Sequence, residues 1–427
     1  MGEYKINGGI KLNGELTIGG AKNAVLPILA ATVLNKGISV IHNCPRILDT
    51  FVAIKILEAL GCKVIFTGHT IIVDSSCANS YSVPAELMSQ MRAAMIFMGS
   101  LLGTYGKAIV CYPGGCDLGP RLINQHLSSL KKMGTNIIEN ENCLDCLGRL
   151  SGKKIHMNLP SVGATQNVML AAVLATGETI ITNAAKEPEI EDLQQFLLKM
   201  GAKVKGAGTD TIVICGVEKL HNAEHTVMPD RIITGTYMAA AAITGGQVLL
   251  NNVNPSHMLP ITAKFEEMGC KLIHNKNSLF LKAPSRLNAV EVTHTLPHPG
   301  FPTDMQAQLT AMMCVANGTS VVHETVFSSR VGHAQPLKAM GANIDIAPNN
   351  STLTIKGVRK LYGATVSATD LRSGAALIIA GLAAHGQTIV NESHHIERGY
   401  ESIETDLTTL GANITFSPNN TLQTMPS

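Results

Sequence analysis

The stretch Met200–Val204 reads MGAKV and is one of six near copies of a single phrase in this chain of 427 residues. The other copies read LGCKV, MGTNI, MGCKL, MGANI and LGANI. The glycines of the six copies are Gly61, Gly134, Gly201, Gly269, Gly341 and Gly411. Successive glycines lie 73, 67, 68, 72 and 70 residues apart. Self-similarity at a fixed period indicates repeated structural units, so the chain is predicted to hold six repeats.

A second glycine recurs with the same period, and an apolar, β-branched run such as ISVIHN, ETIITN or QTIVNE follows it. These glycines are Gly37, Gly106, Gly177, Gly246, Gly318 and Gly386. The helix predicted before this glycine is apolar on all sides, as in TYMAAAAITGG, and is therefore expected to be buried all round. The helix predicted after the strand is amphipathic, as in EIEDLQQFLLKMG, and should end at the MGA-type glycine.

Further short strands complete each repeat, and Asn-Asn, Gly-His and Gly-Thr pairs at their turns predict hairpins. Buried helices inside a shell of sheets predict an inside-out α/β fold. With 45% hydrophobic residues, a chain of this length is expected to divide into domains. Three repeats per domain predict two inside-out α/β barrels, one formed by residues 21–229 and the other by residues 1–20 with 230–427. The joint is placed near Pro229, and the active site is expected in the cleft between the domains.

Composition excludes several classes of partner. A net charge of +2 gives no reason to expect nucleic acid or a membrane surface as a partner, and no signal peptide or membrane-length apolar run opens the chain. No obligate protein partner is evident. Ten scattered cysteines are typical of reduced cytosolic thiols, so we expect a cytoplasmic protein without a disulfide framework. Cys143 and Cys146 form a lone CxxC, which indicates chance rather than a zinc site.

The starts of the predicted helices carry unusual polar and charged residues. At the apolar helices these residues, with their neighbours, are Lys22, Asn23, Arg92, Ser161, Val162, Gly163, Asp230, Arg231, Asp304, Asp370 and Arg372. At the amphipathic helices they are Asp49, Arg121, His126, Glu187, Glu189, Arg330, His333 and Arg398. Helix N-termini and cations both attract negative charge, so repeat symmetry predicts an anion site where these starts converge.

A structural interpretation of the same residues stays open. Aspartate and threonine are ordinary N-caps, and Thr303 with Gln306 matches a capping box. Each aspartate, taken singly, is better explained as a cap than as a catalyst. The arginines are harder to explain, because a cation in the first turn of a helix opposes the helix dipole. Either a bound anion or a neighbouring aspartate must compensate it.

The segment PGGCDLGPR, residues 113–121, is the strongest local signal for chemistry. Three glycines and two prolines surround Cys116, and such a loop is expected at the surface. Reactive cysteines are found in exposed, electropositive surroundings, and Arg121 is close in sequence. Cys116 can therefore serve as an acid or as a nucleophile. Many loop cysteines have no function, and the spacing alone does not separate the two cases.

Ten motifs in order along the chain carry a family resemblance. They are GAKNAVLP, MRAA, PGGC with a following Arg and His, SVGAT, KEPEIED, PDRIITGTY, PGFPTDMQAQ, ETVF with Arg330, TDLRSGAAL and HIERGYE. Together they resemble the UDP-N-acetylglucosamine 1-carboxyvinyltransferases, a family of enolpyruvyl transferases. The resemblance covers essentially the whole chain and implies two inside-out domains of three repeats. It also implies transfer of an enolpyruvyl group from phosphoenolpyruvate to UDP-N-acetylglucosamine, at the start of peptidoglycan synthesis, without a metal or other cofactor.

The resemblance also implies roles for single residues. Lys22, Asn23, Arg121 and Arg398 would hold phosphoenolpyruvate. The nucleotide sugar would be held by Asn23, Arg92, Arg121, Leu122, Ile123, Asn124, Gln125, Ser161, Val162, Gly163, Asp304 and Val326. Asp304 would take the proton of the sugar hydroxyl, Cys116 would be the acid near the vinyl carbon and the fosfomycin target, and Asp370 would share the proton transfers. Further residues expected in the cleft are Asp49, His126, Glu187, Glu189, Asp230, Arg231, Arg330 and Arg372.

The chain departs from the family pattern in the cysteine loop, which reads CDLGPRLINQH. Asp117 stands beside the thiol, where a negative charge raises a thiol pKa. Pro120 precedes Arg121, whereas the family has proline after the arginine, and Asn124 replaces an aspartate. Two alternative functions follow: a silent paralogue that only binds UDP-sugars, favoured by this altered loop, and the shikimate-pathway enolpyruvyl transferase, which lacks the PGGC loop.

Overall fold

The described part of the chain is a mixed α/β structure that divides into two compact units. The structure, a computed structural model, describes residues 2–114, 123–327 and 329–418. The N-terminal unit contains described residues 19–114 and 123–228, and the C-terminal unit contains residues 2–18 and 229–418 without Ser328. Each unit has its own hydrophobic core. No helix of the described chain is both long and apolar enough to cross a membrane.

The N-terminal unit is built from seven helices and eleven strands among its described residues. The helices are α1 (Lys22–Ala31), α2 (Leu48–Ala59), α3 (Ala85–Gln90), α4 (Phe97–Tyr105), α5 (Asn124–Lys132), α6 (Val162–Ala172) and α7 (Pro188–Lys199). The strands are β3 (Ile38–His42), β4 (Lys63–Thr67), β5 (Thr70–Asp74), β6 (Lys107–Cys111), β7 (Asn136–Asn140), β8 (Cys143–Leu147), β9 (Lys154–His156), β10 (Glu178–Thr182), β11 (Lys203–Lys205), β12 (Thr211–Cys215) and β13 (Ala223–Thr226). Short 3₁₀ turns cover Thr32–Leu34 and Arg92–Ile96.

The C-terminal unit repeats this plan. Its helices are α8 (Arg231–Ile243), α9 (Leu259–Glu267), α10 (Gln306–Met313), α11 (Ala334–Ala339), α12 (Leu371–Ala383), α13 (His394–Glu397) and α14 (Ile403–Thr409). Its strands are β1 (Glu3–Asn7), β2 (Asn13–Thr17), β14 (Gln247–Asn251), β15 (Lys271–His274), β16 (Ser278–Lys282), β17 (Val292–His294), β18 (Thr319–His323), β19 (Asn343–Ile346), β20 (Thr352–Lys356), β21 (Thr365–Ser367), β22 (Gln387–Asn391) and β23 (Asn413–Ser417). Its 3₁₀ turns cover Pro255–Met258 and Thr303–Met305.

Six small sheets hold these strands. Their orders are β13-β3-β5-β4, β6-β8-β7 and β11-β12-β10-β9 in the N-terminal unit, and β15-β16-β14-β2, β17-β18-β20-β19 and β21-β22-β1-β23 in the C-terminal unit. The strand that follows the second glycine has the same alternation of exposed and buried residues in five repeats. One face of each of these strands therefore points into the core. Strand β1 pairs with β22 and β23, and strand β2 pairs with β14.

The predicted helix types are confirmed. The apolar helices α1, α6, α8, α10 and α12 are buried along nearly their whole length. The amphipathic helix α7 buries one face and exposes the other. Hairpins form at Gly68-His69, Gly208-Thr209 and Asn349-Asn350, as predicted.

The six repeat glycines end the amphipathic helices in a left-handed conformation, with φ between 91° and 108°. An L-residue is disfavoured there because its Cβ approaches the following carbonyl oxygen. The predicted role of this glycine is therefore confirmed in all six repeats.

Gly411→Ala tests this role without a packing clash. Its φ is +94°, and a Cβ added there would have no neighbour within 4 Å. We expect a loss of about 1–2 kcal/mol in the free energy of unfolding, because alanine disfavours the left-handed conformation. Denaturation followed by far-ultraviolet circular dichroism measures it. Gly19→Ala is the control, since that site is equally open and not left-handed, and it should change stability by less than about 0.5 kcal/mol. Equal losses at both sites would contradict this role.

Candidate active site

The strongest concentration of buried charge lies at the starts of α10 and α12 in the C-terminal unit. Arg330 Nη1 is 2.8 Å from Asp304 Oδ1, and Arg372 Nη2 is 2.8 Å from Asp304 Oδ2. The two arginine side chains are 6% and 4% exposed, whereas that of Asp304 is 23% exposed. Burial raises the pKa of Asp304, but the charges of Arg372 and Arg330 outweigh it and hold that pKa well below its usual range. The carboxylate is therefore ionised and remains partly accessible.

Two other aspartates predicted in this region are helix caps. The Asp230 carboxylate accepts hydrogen bonds from the N–H groups of Ile232 and Ile233 at the start of α8. Asp370 does the same for Arg372 and Ser373 at the start of α12. The structural interpretation is thus confirmed for these two. The N-cap residues of the 3₁₀ turn and of α10, Pro302 and Met305, make no side-chain cap bond among the described residues, and the Asp304 carboxylate compensates the charge of Arg372.

The predicted capping box of Thr303 and Gln306 is wrong. The Thr303 hydroxyl donates to Glu324 Oε2 at 2.8 Å and accepts from Arg330 Nη1 at 2.9 Å, and no side-chain cap bond forms at this helix start among the described residues. Both polar atoms of the Gln306 side chain are buried and have no hydrogen-bond partner among the described residues. The tertiary contact with Glu324 has replaced the local one. Glu324 was not predicted as a site residue, because an acid just after a strand is usually a solvated loop residue.

The other polar residues of this region surround the same helix starts. Burial lowers the pKa of His333 to about 4, and Arg330 adds to this while Asp370 opposes it. Burial and then Arg398 lower the pKa of His395, again against Asp370. Arg231, in the first turn of α8, is buried, and Val326 is partly exposed in the segment after β18. The structure thus brings Asp304, Arg330, Arg372, Asp370 and Arg398 into one neighbourhood.

In the N-terminal unit, a buried ion pair joins the starts of α1 and α2. Lys22 Nζ is 2.9 Å from Asp49 Oδ2, and their side chains are 11% and 4% exposed. Asn23 follows in the first turn of α1 and is half-buried. Glu187 and Glu189 lie at the start of α7, where a negative charge interacts favourably with the helix dipole. Asp49, Glu187 and Glu189, at the starts of amphipathic helices, therefore fit a structural role, in an ion pair or at a helix dipole, as well as a functional one.

A second cluster in this unit centres on His126. The Asn167 side-chain amide donates to His126 Nδ1 at 2.8 Å. Burial lowers the pKa of His126 to about 4, and nearby Arg92 adds to this effect. Burial also lowers the pKa of Arg92. A Cβ on Gly163 would lie 3.1 Å from His126 Cε1, so the imidazole packs on the first turn of α6.

Several residues predicted to hold the nucleotide sugar lie near His126, on α5 and at the start of α6. Ser161 caps α6 by accepting from the Ala164 N–H at 3.3 Å, and Val162 begins that helix. Gln125 exchanges hydrogen bonds with the backbone of Leu159 at 3.1 and 3.2 Å. Ile123 is buried before α5, and Asn124 is exposed at its first position. Cys116, Asp117, Pro120, Arg121 and Leu122 lie outside the described residues.

The expectation of reduced cysteines is wrong at one pair. Cys111, at the end of β6, is disulfide-bonded to Cys143, its register partner on β8. Cross-strand neighbours in an antiparallel pair lie within reach of each other, a proximity that scattered positions in the sequence did not reveal. The same bond removes Cys143 from the CxxC pair, whose other member, Cys146, is a buried free thiol.

Comparison with known proteins places these clusters in a family. A sequence profile of the EPSP synthase (3-phosphoshikimate 1-carboxyvinyltransferase) family matches residues 6–407. A protein of Caldanaerobacter subterraneus subsp. tengcongensis, UDP-N-acetylglucosamine 1-carboxyvinyltransferase 2, is 50% identical over 97% of this chain and 99% of its own length. UDP-N-acetylglucosamine 1-carboxyvinyltransferase from Finegoldia magna is 47% identical over 97% and 98%. The chain belongs to the UDP-N-acetylglucosamine 1-carboxyvinyltransferase family of enolpyruvyl transferases.

Solved structures agree with this membership. The enolpyruvyl transferase NikO from Streptomyces tendae superposes with a TM-score of 0.88 at 25% identity, covering 97% of this chain and 99% of NikO. EPSP synthase from Acinetobacter baumannii gives a TM-score of 0.73 at 18% identity over 98% and 100%, which concerns the fold alone. The chain is an enolpyruvyl transferase with a mixed α/β fold. The predicted family and enzyme class are thereby confirmed.

The low pKa of His126 gives a test of the cluster in the N-terminal unit. A nuclear magnetic resonance titration of its Cε1 proton should have a midpoint near 4. Asn167→Asp should raise that pKa by about 1–3 units, because a carboxylate beside Nδ1 stabilises the protonated ring. Gln125→Glu is the matched control, since it adds the same charge where the side chain bonds Leu159, and it should shift the midpoint much less. A midpoint near 6.5 in the unaltered protein would contradict the described burial.

Proposed function

We propose that this enzyme transfers the enolpyruvyl group of phosphoenolpyruvate to the 3′-hydroxyl of UDP-N-acetylglucosamine and releases phosphate. The observation that carries the proposal is an identity of 50% and 47%, over nearly the full length, to relatives with this activity in their names. The reaction is the first committed step of peptidoglycan synthesis, and we place it in the bacterial cytoplasm. The shikimate-pathway reaction is disfavoured, because the relatives at 50% and 47% identity are named for UDP-N-acetylglucosamine.

Both substrates are polyanions, and the clusters supply matching charge. Lys22, Arg121 and Arg398 are proposed to hold phosphoenolpyruvate. The segments of Arg92, Gln125, Ser161 to Gly163 and Val326 are proposed to hold the nucleotide sugar. Fixed cations in a site that excludes water stabilise developing negative charge without reorganisation. We also propose that each unit is an inside-out barrel of three repeats.

Asp304 is proposed to accept the proton of the sugar 3′-hydroxyl as its oxygen bonds to C2 of phosphoenolpyruvate. Cys116 supplies a proton to C3, with Asp370 sharing the proton transfers; loss of phosphate and of a C3 proton then restores the double bond. The low pKa of Asp304 keeps it ionised at neutral pH but makes it a weak base. Anionic substrate groups that pair with Arg330 or Arg372 weaken the effect of these cations on Asp304 and raise its pKa. Asp304 therefore becomes a stronger base only when the substrates are bound.

Phosphate release tests the proposal. The purified protein should release phosphate only when phosphoenolpyruvate and UDP-N-acetylglucosamine are both present, and mass spectrometry should find the enolpyruvyl ether of the nucleotide sugar. Replacing the nucleotide sugar with shikimate 3-phosphate should give none. Binding of UDP-N-acetylglucosamine without phosphate release would contradict the proposal and favour a silent paralogue.

Fosfomycin provides an internal control for the cysteine loop in the same assay. This anionic epoxide should abolish phosphate release and alkylate Cys116. The exposed free thiols of Cys77 and Cys215 should stay unmodified, because neither belongs to the proposed phosphoenolpyruvate site, where the anionic group of fosfomycin would be held. Alkylation of Cys77 or Cys215 to the same extent would contradict the assignment of Cys116 as the reactive thiol.

A further inference from the structure

A buried carboxylate with no assigned role lies behind the Asp304 cluster. Glu324 follows β18 directly and is 3% exposed. Its Oε1 accepts hydrogen bonds from the Thr295 hydroxyl at 2.8 Å and from the N–H groups of Val326 and Phe327 at 2.8 and 3.0 Å. Its Oε2 accepts from the Thr303 hydroxyl at 2.8 Å. Within the described residues, no cation forms an ion pair with it, so four neutral donors hold the buried charge.

The bond to Thr303 sets the direction of the next bond. A threonine hydroxyl has one hydrogen to donate, and Thr303 gives it to Glu324. Its oxygen lone pairs are left to accept from Arg330 Nη1, which is 2.9 Å away. The same Nη1 lies 2.8 Å from Asp304 Oδ1. An ionised carboxylate can only accept, so it orients the hydroxyl, and the hydroxyl helps to orient the guanidinium against Asp304.

We infer that Glu324 is a positioning residue for enolpyruvyl transfer: through Thr303 it holds Arg330 against Asp304, and through two backbone amides it holds the segment of Val326. Its link to catalysis rests on the proposed function, which assigns the sugar hydroxyl to Asp304 and the nucleotide sugar to Val326. The hydrogen-bond route itself lies entirely within the C-terminal unit. Misplacement of a reacting group by about 1 Å can cost on the order of a hundredfold in rate, so the position of Arg330 matters to turnover.

Other charged and titratable groups also face this cluster and contribute to the charge at Asp304. Arg372 contacts Asp304 directly. Asp230 and Tyr400 act electrostatically on Arg372, and the buried His333 interacts with Arg330 and Asp370. A variant at Glu324 leaves all of these side chains in place. Losing the negative charge of Glu324 would by itself lower the pKa of Asp304, so a rise in that pKa reports the route through Thr303 and Arg330.

Glu324→Gln changes the polarity of this site with almost no change in shape. Three donors face Oε1, so the new amide N–H group must face Thr303. The Thr303 hydroxyl would then lose the acceptor of its hydrogen and turn to accept from the new amide, which weakens its bond from Arg330. We expect kcat to fall roughly tenfold or more. We also expect the acid limb of the pH profile to move to higher pH, because a weaker hold by Arg330 raises the pKa of Asp304.

Two threonine variants separate positioning from a loss of stability. Thr303→Val removes the relay and should reproduce both effects, and the double variant should lose little more than either single one, since both act on one route. Thr295→Val removes a donor to Oε1 of the same carboxylate, and with it the acceptor of the Thr325 N–H, but leaves Thr303 and its bond from Arg330 in place. It should lower the melting temperature while changing kcat by no more than about twofold and leaving the pH profile in place.

A ¹³C titration of the Asp304 carboxyl, assigned with Asp304→Asn, tests the route without substrates. The midpoint should move to higher pH in Glu324→Gln and in Thr303→Val but not in Thr295→Val. An inactive unaltered protein would refute the proposed function, while this titration would still decide the role of Glu324. If Glu324→Gln does not fold, Thr303→Val carries the same expectations. Unchanged titration and turnover in the relay variants, or an equal shift in Thr295→Val, would overturn the inference.

Discussion

A single carboxylate shared by two buried guanidinium groups is the interaction on which the C-terminal unit's chemistry depends. Taking charges out of water is costly, and replacing a buried ion cluster by apolar residues is often neutral or stabilising. Stability alone is therefore a poor reason for the buried Arg330 and Arg372 to meet Asp304. Asp304 is also the most exposed of the three, which leaves the negative group of the cluster open to a substrate. This combination fits a site that orients a reacting group.

The repeated fold supplies the positions for this cluster. Asp304 and Arg372 stand at the starts of α10 and α12, helices that are buried along almost their whole length. Helices without a solvent face cannot shift easily, because close-packed interiors resist small displacements. Their first turns are consequently rigid supports for polar side chains. The N-terminal unit uses the same device at the starts of α1 and α6, with Lys22 and Ser161.

The repeats, the helix types and the left-handed glycines could be predicted from the sequence, because each depends on a local pattern with a fixed period. The caps at Asp230 and Asp370 could be predicted for the same reason. The capping box at Thr303 failed because two side chains distant in the chain orient its hydroxyl, which donates to Glu324 and accepts from Arg330. The Cys111–Cys143 bond likewise depends on strand register. Contacts between segments far apart in the chain are what local patterns leave undetermined.

The most direct test of the central claim is a comparison of turnover and substrate binding in Asp304→Asn. If the carboxylate serves the reaction, kcat should fall by about a hundredfold or more, as expected when a general base is lost. UDP-N-acetylglucosamine should still bind within a few-fold of the unaltered protein, and circular dichroism should confirm an intact fold. A folded Asp304→Asn enzyme with turnover within about tenfold of the original would contradict the account.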